Sequence, residues 1–433
     1  MAGFFLPLRF SGRTRPVPQV RRHPRKDITH QGASAMMKPK HKKVGILFSG
    51  GPAPSANTVI SSTTLNFLDD NIPVIGIFRG YEFIQDFNMN YPKLRKGVHY
   101  EELNYNITQV RNERGIYLRT SRANPGKNIC KIEDISNPEK NVQLRNIIDA
   151  FEYLNVGALI SIGGDDTLKT ANFLYLMGFP VIHIPKTIDN DYYGIPWTFG
   201  YWTAVNSAQV EMLNIKADAQ ATDSFFIVEL MGRKAGWLTY AAGIAAEAIM
   251  MIGLEDIEDD VLDLDGLAER IADTIIAREN NRRPYGVIAV AEGLADKLPD
   301  RLKPHETDKH GNILFREANI SRLLAEAAKR VYKEKTGLEI KLIPKQIGYE
   351  TRSAAPISFD VVLGSMLGYG AYKFYSENNF GAMVSVTDNF DLKAVPFSEL
   401  IDPGSLKTRL RDVPRGSDFF SLKEKLSFRK YWE

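Results

Sequence analysis

Short apolar runs recur along the chain, and nearly every one is closed by small or polar residues. Lys43–Phe48 (KVGILF), Pro73–Phe78, Ala158–Ile162, Pro180–Ile184, Ser224–Leu230, Ala248–Ile252, Tyr285–Ala291, Leu338–Ile343 and Ala382–Val386 are rich in Val and Ile. Such runs are too short for buried helices and read as strands buried on both faces. Between them lie longer stretches with three- and four-residue apolar spacing, such as Leu144, Ile147, Ile148, Phe151 and Leu154. That spacing predicts helices over Thr58–Asp69, Asn141–Leu154, Thr167–Met177, Leu267–Arg278, Ile320–Lys335 and Phe359–Ser376, with a further helix running to about Asp218. Residues 79–135 read as loop-rich, and the segment after Ser398 as charged and short-helical.

Strand and helix alternate, so the pattern predicts an α/β fold with mainly parallel sheets covered by helices on both faces. At this length more than one domain is expected. In such sheets the loops after the strands gather at one edge, where ligands bind. The unit from Ala158 to Asp191 states the case most clearly. Its first strand ends in Gly163-Gly164-Asp165-Asp166 and its second in Pro185-Lys186-Thr187-Ile188-Asp189-Asn190-Asp191. Four aspartates and a lysine are thereby sent to one crevice.

Composition changes this picture in one place. The chain of 433 residues carries a net charge of only +3, but residues 1–43 hold eleven Lys/Arg against the single acid Asp27. The remainder is therefore mildly acidic, which argues against nucleic-acid binding. Residues 1–41 are expected to be a disordered basic extension. Met36 or Met37 as an alternative start, a basic interaction arm and organelle targeting are the alternatives for it. No apolar run approaches a membrane span, so no membrane association is expected. The lone Cys130 excludes an internal disulfide and fits a reducing, cytoplasmic setting.

The polar loops define the candidate chemistry. Gly50-Gly51 follows the first strand but matches neither dinucleotide nor P-loop fingerprints. It either lets backbone N–H groups approach a phosphate or simply makes a tight turn. Arg111, Arg114, Arg119 and Arg122 either contribute cations or form a solvated face. Crowded aspartates need a cation or a proton, and Asp165 at a sharp turn suits Mg²⁺ shared with phosphate oxygens. Asp189 could take a proton from a hydroxyl nucleophile. Lys186, Arg233 and Arg352 supply cations for phosphate, and Glu292 an acceptor for a sugar hydroxyl. Together these residue types point to a phosphotransferase acting on a phosphorylated polyol.

The ordered set SGG-PAP (49–54), GGDD (163–166), TIDND (187–191), MGR (231–233), EG (292–293) and GYE-x-R (348–352) resembles the phosphofructokinase family, over roughly Lys43 to Phe390. The resemblance implies two Rossmann-like domains with the active site in the crevice between them. Residues 42–200 and about 351–400 would form the phosphoryl-donor and Mg²⁺ domain. Residues 201–350 and about 401–433 would form the sugar-phosphate domain. It further implies Asp189 as proton acceptor on the 1-hydroxyl of fructose 6-phosphate and Asp165 as the Mg²⁺ ligand. Gly50, Gly51, Lys186 and Arg122 would meet the donor. Thr187, Ile188, Asp189, Met231, Gly232, Arg233, Glu292, Tyr349, Glu350, Thr351 and Arg352 would hold the sugar phosphate, in a homodimer or homotetramer.

Two positions select the donor. ATP-using members resemble GGDG and PGTIDND at these loops, whereas this chain has Asp166 and Lys186 where those have Gly. The pair looks like the pyrophosphate-dependent branch. Asp166 would place a charge where a nucleotide α-phosphate lies, and two charges ~5 Å apart at an effective dielectric of ~20 repel by roughly 3 kcal/mol. Lys186 would add a cation for pyrophosphate and its transition state. The alternatives are an ATP-dependent enzyme of the same family and a non-catalytic subunit that binds phosphosugar.

Overall fold

A computed structural model describes residues 42–303 and 315–427. The basic extension expected over residues 1–41 lies outside the described residues. Two sheets carry the fold. The larger has seven strands: β1 (Lys43–Phe48), β2 (Val74–Ile77), β3 (Tyr100–Leu103), β4 (Val156–Gly163), β5 (Val181–Pro185), and, much later in the chain, β10 (Ala382–Val386) and β11 (Leu392–Pro396). The smaller holds β6 (Phe225–Leu230), β7 (Met250–Ile252), β8 (Gly286–Ala291) and β9 (Leu342–Ile347), in the order β7-β8-β6-β9.

The larger sheet runs β11-β10-β5-β4-β1-β2-β3. Its five inner strands are parallel, and the two edge strands β3 and β11 pair antiparallel. All eight residues of β4 are buried, which explains its unbroken apolar pattern. The helices expected from periodicity form: α1 (Ala56–Asp69), α2 (Val142–Tyr153), α3 (Asp165–Leu176), α4 (Tyr201–Ala221), α5 (Trp237–Ala245), α6 (Leu264–Asn280), α7 (Ile320–Thr336), α8 (Ser358–Ser376) and α9 (Asp418–Ser427). The expected α/β class with mainly parallel sheets is what the chain adopts.

One strand is displaced, and two that the apolar pattern does not predict, β3 and β11, form at the sheet edges. The strand expected over Leu338–Ile343 forms four residues later as β9 and runs through Pro344. Proline lacks the ladder donor and reads as a strand stop, but β9 is an edge strand paired only with β6, where a missing N–H is tolerated. The loop-rich stretch 79–135 also contains β3, whose sequence YEEL has no apolar alternation. Lys43 and Lys96 both pair with Glu102 on that strand.

The registers place the polar loops at one edge of each sheet. Phe48 is level with Ile162, and Gly163 with Pro185, so the loops after β1, β4 and β5 leave side by side. In the smaller sheet Leu230 is level with both Ala291 and Ile347, which aligns the loops at 231, 292 and 348.

Candidate active site

The two loop edges face each other across a cavity of about 370 Å³. From the larger sheet it receives Gly50, Gly51, Asp165, Asp166, Lys186, Thr187, Asp189 and Asp191, with Arg122 from the loop after β3. Arg233, Lys234 and Arg352 close it from the smaller sheet.

Gly50 has φ +87°, a left-handed conformation that a side chain would strain. A β-carbon there would also stand 3.3 Å from the Lys186 Nζ. On the other side, a β-carbon on Gly164 would be 4.0 Å from the same nitrogen. The ammonium thus sits in a notch between two glycine turns, over the ring of Phe48. Lys186 is only 4% exposed. Burial, reinforced by Arg352, lowers its pKa to about 7 even though Asp189 and Asp165 oppose the shift. An anion entering the cavity would restore the charged form.

Asp189 is buried at the base of the cavity. Its N–H donates to the Thr187 hydroxyl at 3.1 Å, which folds the loop back on itself. Its Oδ2 accepts the Arg233 N–H at 3.5 Å, a long contact across the crevice. Its Oδ1 is buried and has no hydrogen-bond partner among the described residues. A buried carboxylate oxygen without a donor is costly, and the Asp189 carboxylate lines the cavity, where it can take a proton from a hydroxyl. Asp191 lies beside it, and burial together with Asp189 and Asp165 raises its pKa.

Asp165 opens α3, and its Oδ2 accepts from Lys234 Nζ at 2.5 Å. Burial alone would lower the Lys234 pKa, but Asp165, with Asp191 and Asp166, outweighs it and the pKa is raised. Among the described residues no group of three or more His, Cys, Asp or Glu could cage a metal by itself. One carboxylate at the mouth of a phosphate-sized cavity is a donor set that fits Mg²⁺, which keeps waters and takes substrate phosphate oxygens as further ligands. Asp166 is half exposed and pairs with Lys169 at 3.1 Å.

Below the cavity the His183 Nε2 lies 3.0 Å from the Tyr192 hydroxyl, which also lies 3.3 Å from the Gly163 carbonyl. Burial lowers the His183 pKa to about 3, so this contact ties β4 to β5 without adding charge. Just after β8, outside the cavity's lining, Glu292 is 4% exposed. Burial, and then the charge of Asp189, raises its pKa to about 7 against the pull of Arg352 and Arg233. Arg352 Nε donates to the Met231 sulfur at 3.1 Å.

A phosphofructokinase family model matches residues 43–375. The chain belongs to the phosphofructokinase family. It is 34% identical over 404 residues to a Thermotoga maritima protein named pyrophosphate–fructose 6-phosphate 1-phosphotransferase, covering 90% of this chain and 91% of that one. It is 32% identical over 408 residues to a Naegleria fowleri protein of the same name, covering 89% and 88%. A crystal structure of a pyrophosphate-dependent phosphofructokinase from Nitrosospira multiformis shares the fold, with a TM-score of 0.64 at 17% identity over 89% of this chain and 91% of that one.

The phosphofructokinase motif residues divide into two groups in space. Those named above as lining the cavity include Gly50, Gly51, Arg122, Asp165, Asp166, Lys186, Thr187, Asp189, Arg233 and Arg352. Ile188, Met231, Gly232, Glu292, Tyr349, Glu350 and Thr351 do not line it. Ile188 is wholly buried in the core, Tyr349 is 59% exposed, and the buried Thr351 hydroxyl donates to the Gly348 carbonyl. Sequence reasoning passed over Lys234 and Lys169. Both line the cavity shortly after a motif residue.

Proposed function

We propose that this phosphofructokinase uses pyrophosphate, transferring a phosphoryl group to the 1-hydroxyl of fructose 6-phosphate to give fructose 1,6-bisphosphate and phosphate. The observation that carries this reading is the buried Lys186 ammonium, held between the Gly50 and Gly164 turns and aimed at the cavity. A nucleotide-using site has no need of a desolvated cation at that point, whereas pyrophosphate brings concentrated charge to it.

The Asp189 carboxylate accepts the proton of the 1-hydroxyl as the oxygen attacks phosphorus. The bridging P–O bond breaks in line, and phosphate leaves with the electron pair. Arg122, Lys186 and the backbone of Gly50 and Gly51 meet the charge on the donor. Mg²⁺ held by Asp165 would neutralise part of that charge. Arg233, Arg352, Met231 and Glu292 hold the sugar phosphate, with Thr187 setting the loop. The larger sheet is then the donor half and the smaller sheet the sugar half. The bond broken and the ester formed are close in free energy, so the reaction runs in both directions. The working form is a homodimer or homotetramer, and among the described residues no helix is long and apolar enough to cross a membrane.

The test is phosphorylation of fructose 6-phosphate with pyrophosphate and with ATP in parallel, with Mg²⁺ omitted as the control. Turnover with pyrophosphate and Mg²⁺ is expected. Turnover with ATP alone overturns the donor assignment.

A further inference from the structure

Asp189 has few side-chain contacts of its own, so its position depends on the backbone of the loop that carries it. That loop is held from a distance. Asn190 has φ +54°, a left-handed conformation that a non-glycine residue keeps only where its surroundings hold it. Its side chain accepts the Thr198 N–H at 3.0 Å. The Thr198 hydroxyl donates to the Thr187 carbonyl at 2.8 Å, and Lys186 bridges to Phe199. Further support comes from Arg411, in the segment leading to α9. The Arg411 N–H donates to the Asp191 carbonyl at 2.9 Å. Its Nη1 donates to the Pro196 carbonyl at 2.8 Å and reaches the Asn190 carbonyl at 3.4 Å. Leu410 beside it forms an antiparallel bridge to Tyr192.

The same residue is fastened to the opposite wall. Its carbonyl accepts from Trp237 Nε1 at 2.9 Å, and its guanidinium carbon lies 4.2 Å from the Trp237 ring centroid. Trp237 is the first residue of α5, directly after the Met231–Gly236 loop that carries Arg233. Val413 donates to the Glu255 carboxylate that also accepts the Gly236 N–H. One arginine therefore joins the two loops that also meet through the long Asp189–Arg233 hydrogen bond.

We propose that Arg411 is a positioning residue for phosphoryl transfer, setting Asp189 against Arg233 by tying the Asn190–Pro196 carbonyls to Trp237. The proposal rests on Asp189 as the proton acceptor. A planar fork with an aromatic-stacking face meets all these partners at once, which a lysine ammonium does not.

The experiment compares Arg411→Ala and Arg411→Lys with Lys423→Met. Lys423 forms the buried ion pair with Asp256 that anchors α9, further along the same tail, and contacts neither loop. In Arg411→Ala, kcat is expected to fall on the order of 10²-fold, the cost of a misplaced reacting group. KM for both substrates is expected to stay within a few-fold. Arg411→Lys restores little, and guanidinium ion added to Arg411→Ala restores part of the rate. Lys423→Met keeps the wild-type kcat. Amide hydrogen exchange in residues 187–198 without substrate is expected to speed up in Arg411→Ala and not in Lys423→Met. Unchanged exchange and kcat in Arg411→Ala overturn the proposal, as does an equal loss in Lys423→Met. Full activity of Arg411→Lys overturns the role given to the fork. A wild-type enzyme inactive with pyrophosphate defeats the functional reading instead, and the exchange measurement then still decides whether Arg411 holds the loop.

Discussion

Arg352, carried beyond the end of β9, reaches within 3.0 Å of the point where a β-carbon on Gly51 would stand. The two sheets thus touch through a guanidinium and a residue with no side chain. Gly51→Ala meets the movable end of a flexible side chain, so it should cost under ~1 kcal/mol of stability while raising KM. Gly50→Ala meets a positive φ as well, and should cost about 1–2 kcal/mol. Chemical denaturation and steady-state kinetics of the two variants separate these effects.

Asp189→Asn removes the proton acceptor but keeps the shape. We expect kcat to fall by roughly 10²–10⁴-fold. The unpartnered buried oxygen is a cost in the empty site, so the ligand-free variant should melt at or above the wild-type temperature. A variant that loses both activity and stability would show that Asp189 is structural.

Donor choice can be divided between two residues. Lys186 is buried, so Lys186→Met should lower kcat/KM for pyrophosphate by about 10²-fold or more. Asp166 is half exposed and paired with Lys169, which screens its charge. Asp166→Gly alone should therefore change pyrophosphate use by less than about tenfold. Only the double change Asp166→Gly with Lys186→Gly should admit ATP, read as nucleotide-dependent turnover.

The Glu292 carboxyl is raised by burial from its ordinary 4.5 to about 7. The folded chain then binds more protons than the unfolded one between those values, so this group lowers stability as pH rises from about 4.5 to 7. Glu292→Gln should abolish that slope. The variant's stability advantage over wild type should grow across the window to on the order of 3 kcal/mol and level off above pH 7. Sugar-phosphate KM should rise in the same variant. Denaturation curves at pH 5, 6, 7 and 8 check the sign.

The legibility of this site in the sequence follows from where each residue stands. Asp165, Asp166, Lys186 and Asp189 close all-buried strands, so apolar runs point to them directly. β9 was displaced in the sequence reading because Pro344 looks like a stop until the strand is known to lie at an edge. β3 was invisible because its sequence YEEL is charged and it lies at the edge of the sheet, paired with β2. Lys234 adjoins a motif, and its pairing with Asp165 on the other sheet left no local signal. Arg411 left no local pattern at all, since its partners are carbonyls and an indole more than 170 residues away. A periodicity reports which face is buried, not which distant backbone a side chain will reach.

The strands of the smaller sheet all lie in sequence between β5 and β10, which are neighbours in the larger one. On the ribosome, the gap beside β5 stays open until the entire intervening sheet has been made, and the Arg411 contacts come later still. A nascent chain paused after Arg352 would own every cavity-lining side chain yet hold them on an unfinished scaffold. Competence for chemistry should therefore arrive in a single late step of synthesis, not grow gradually with length.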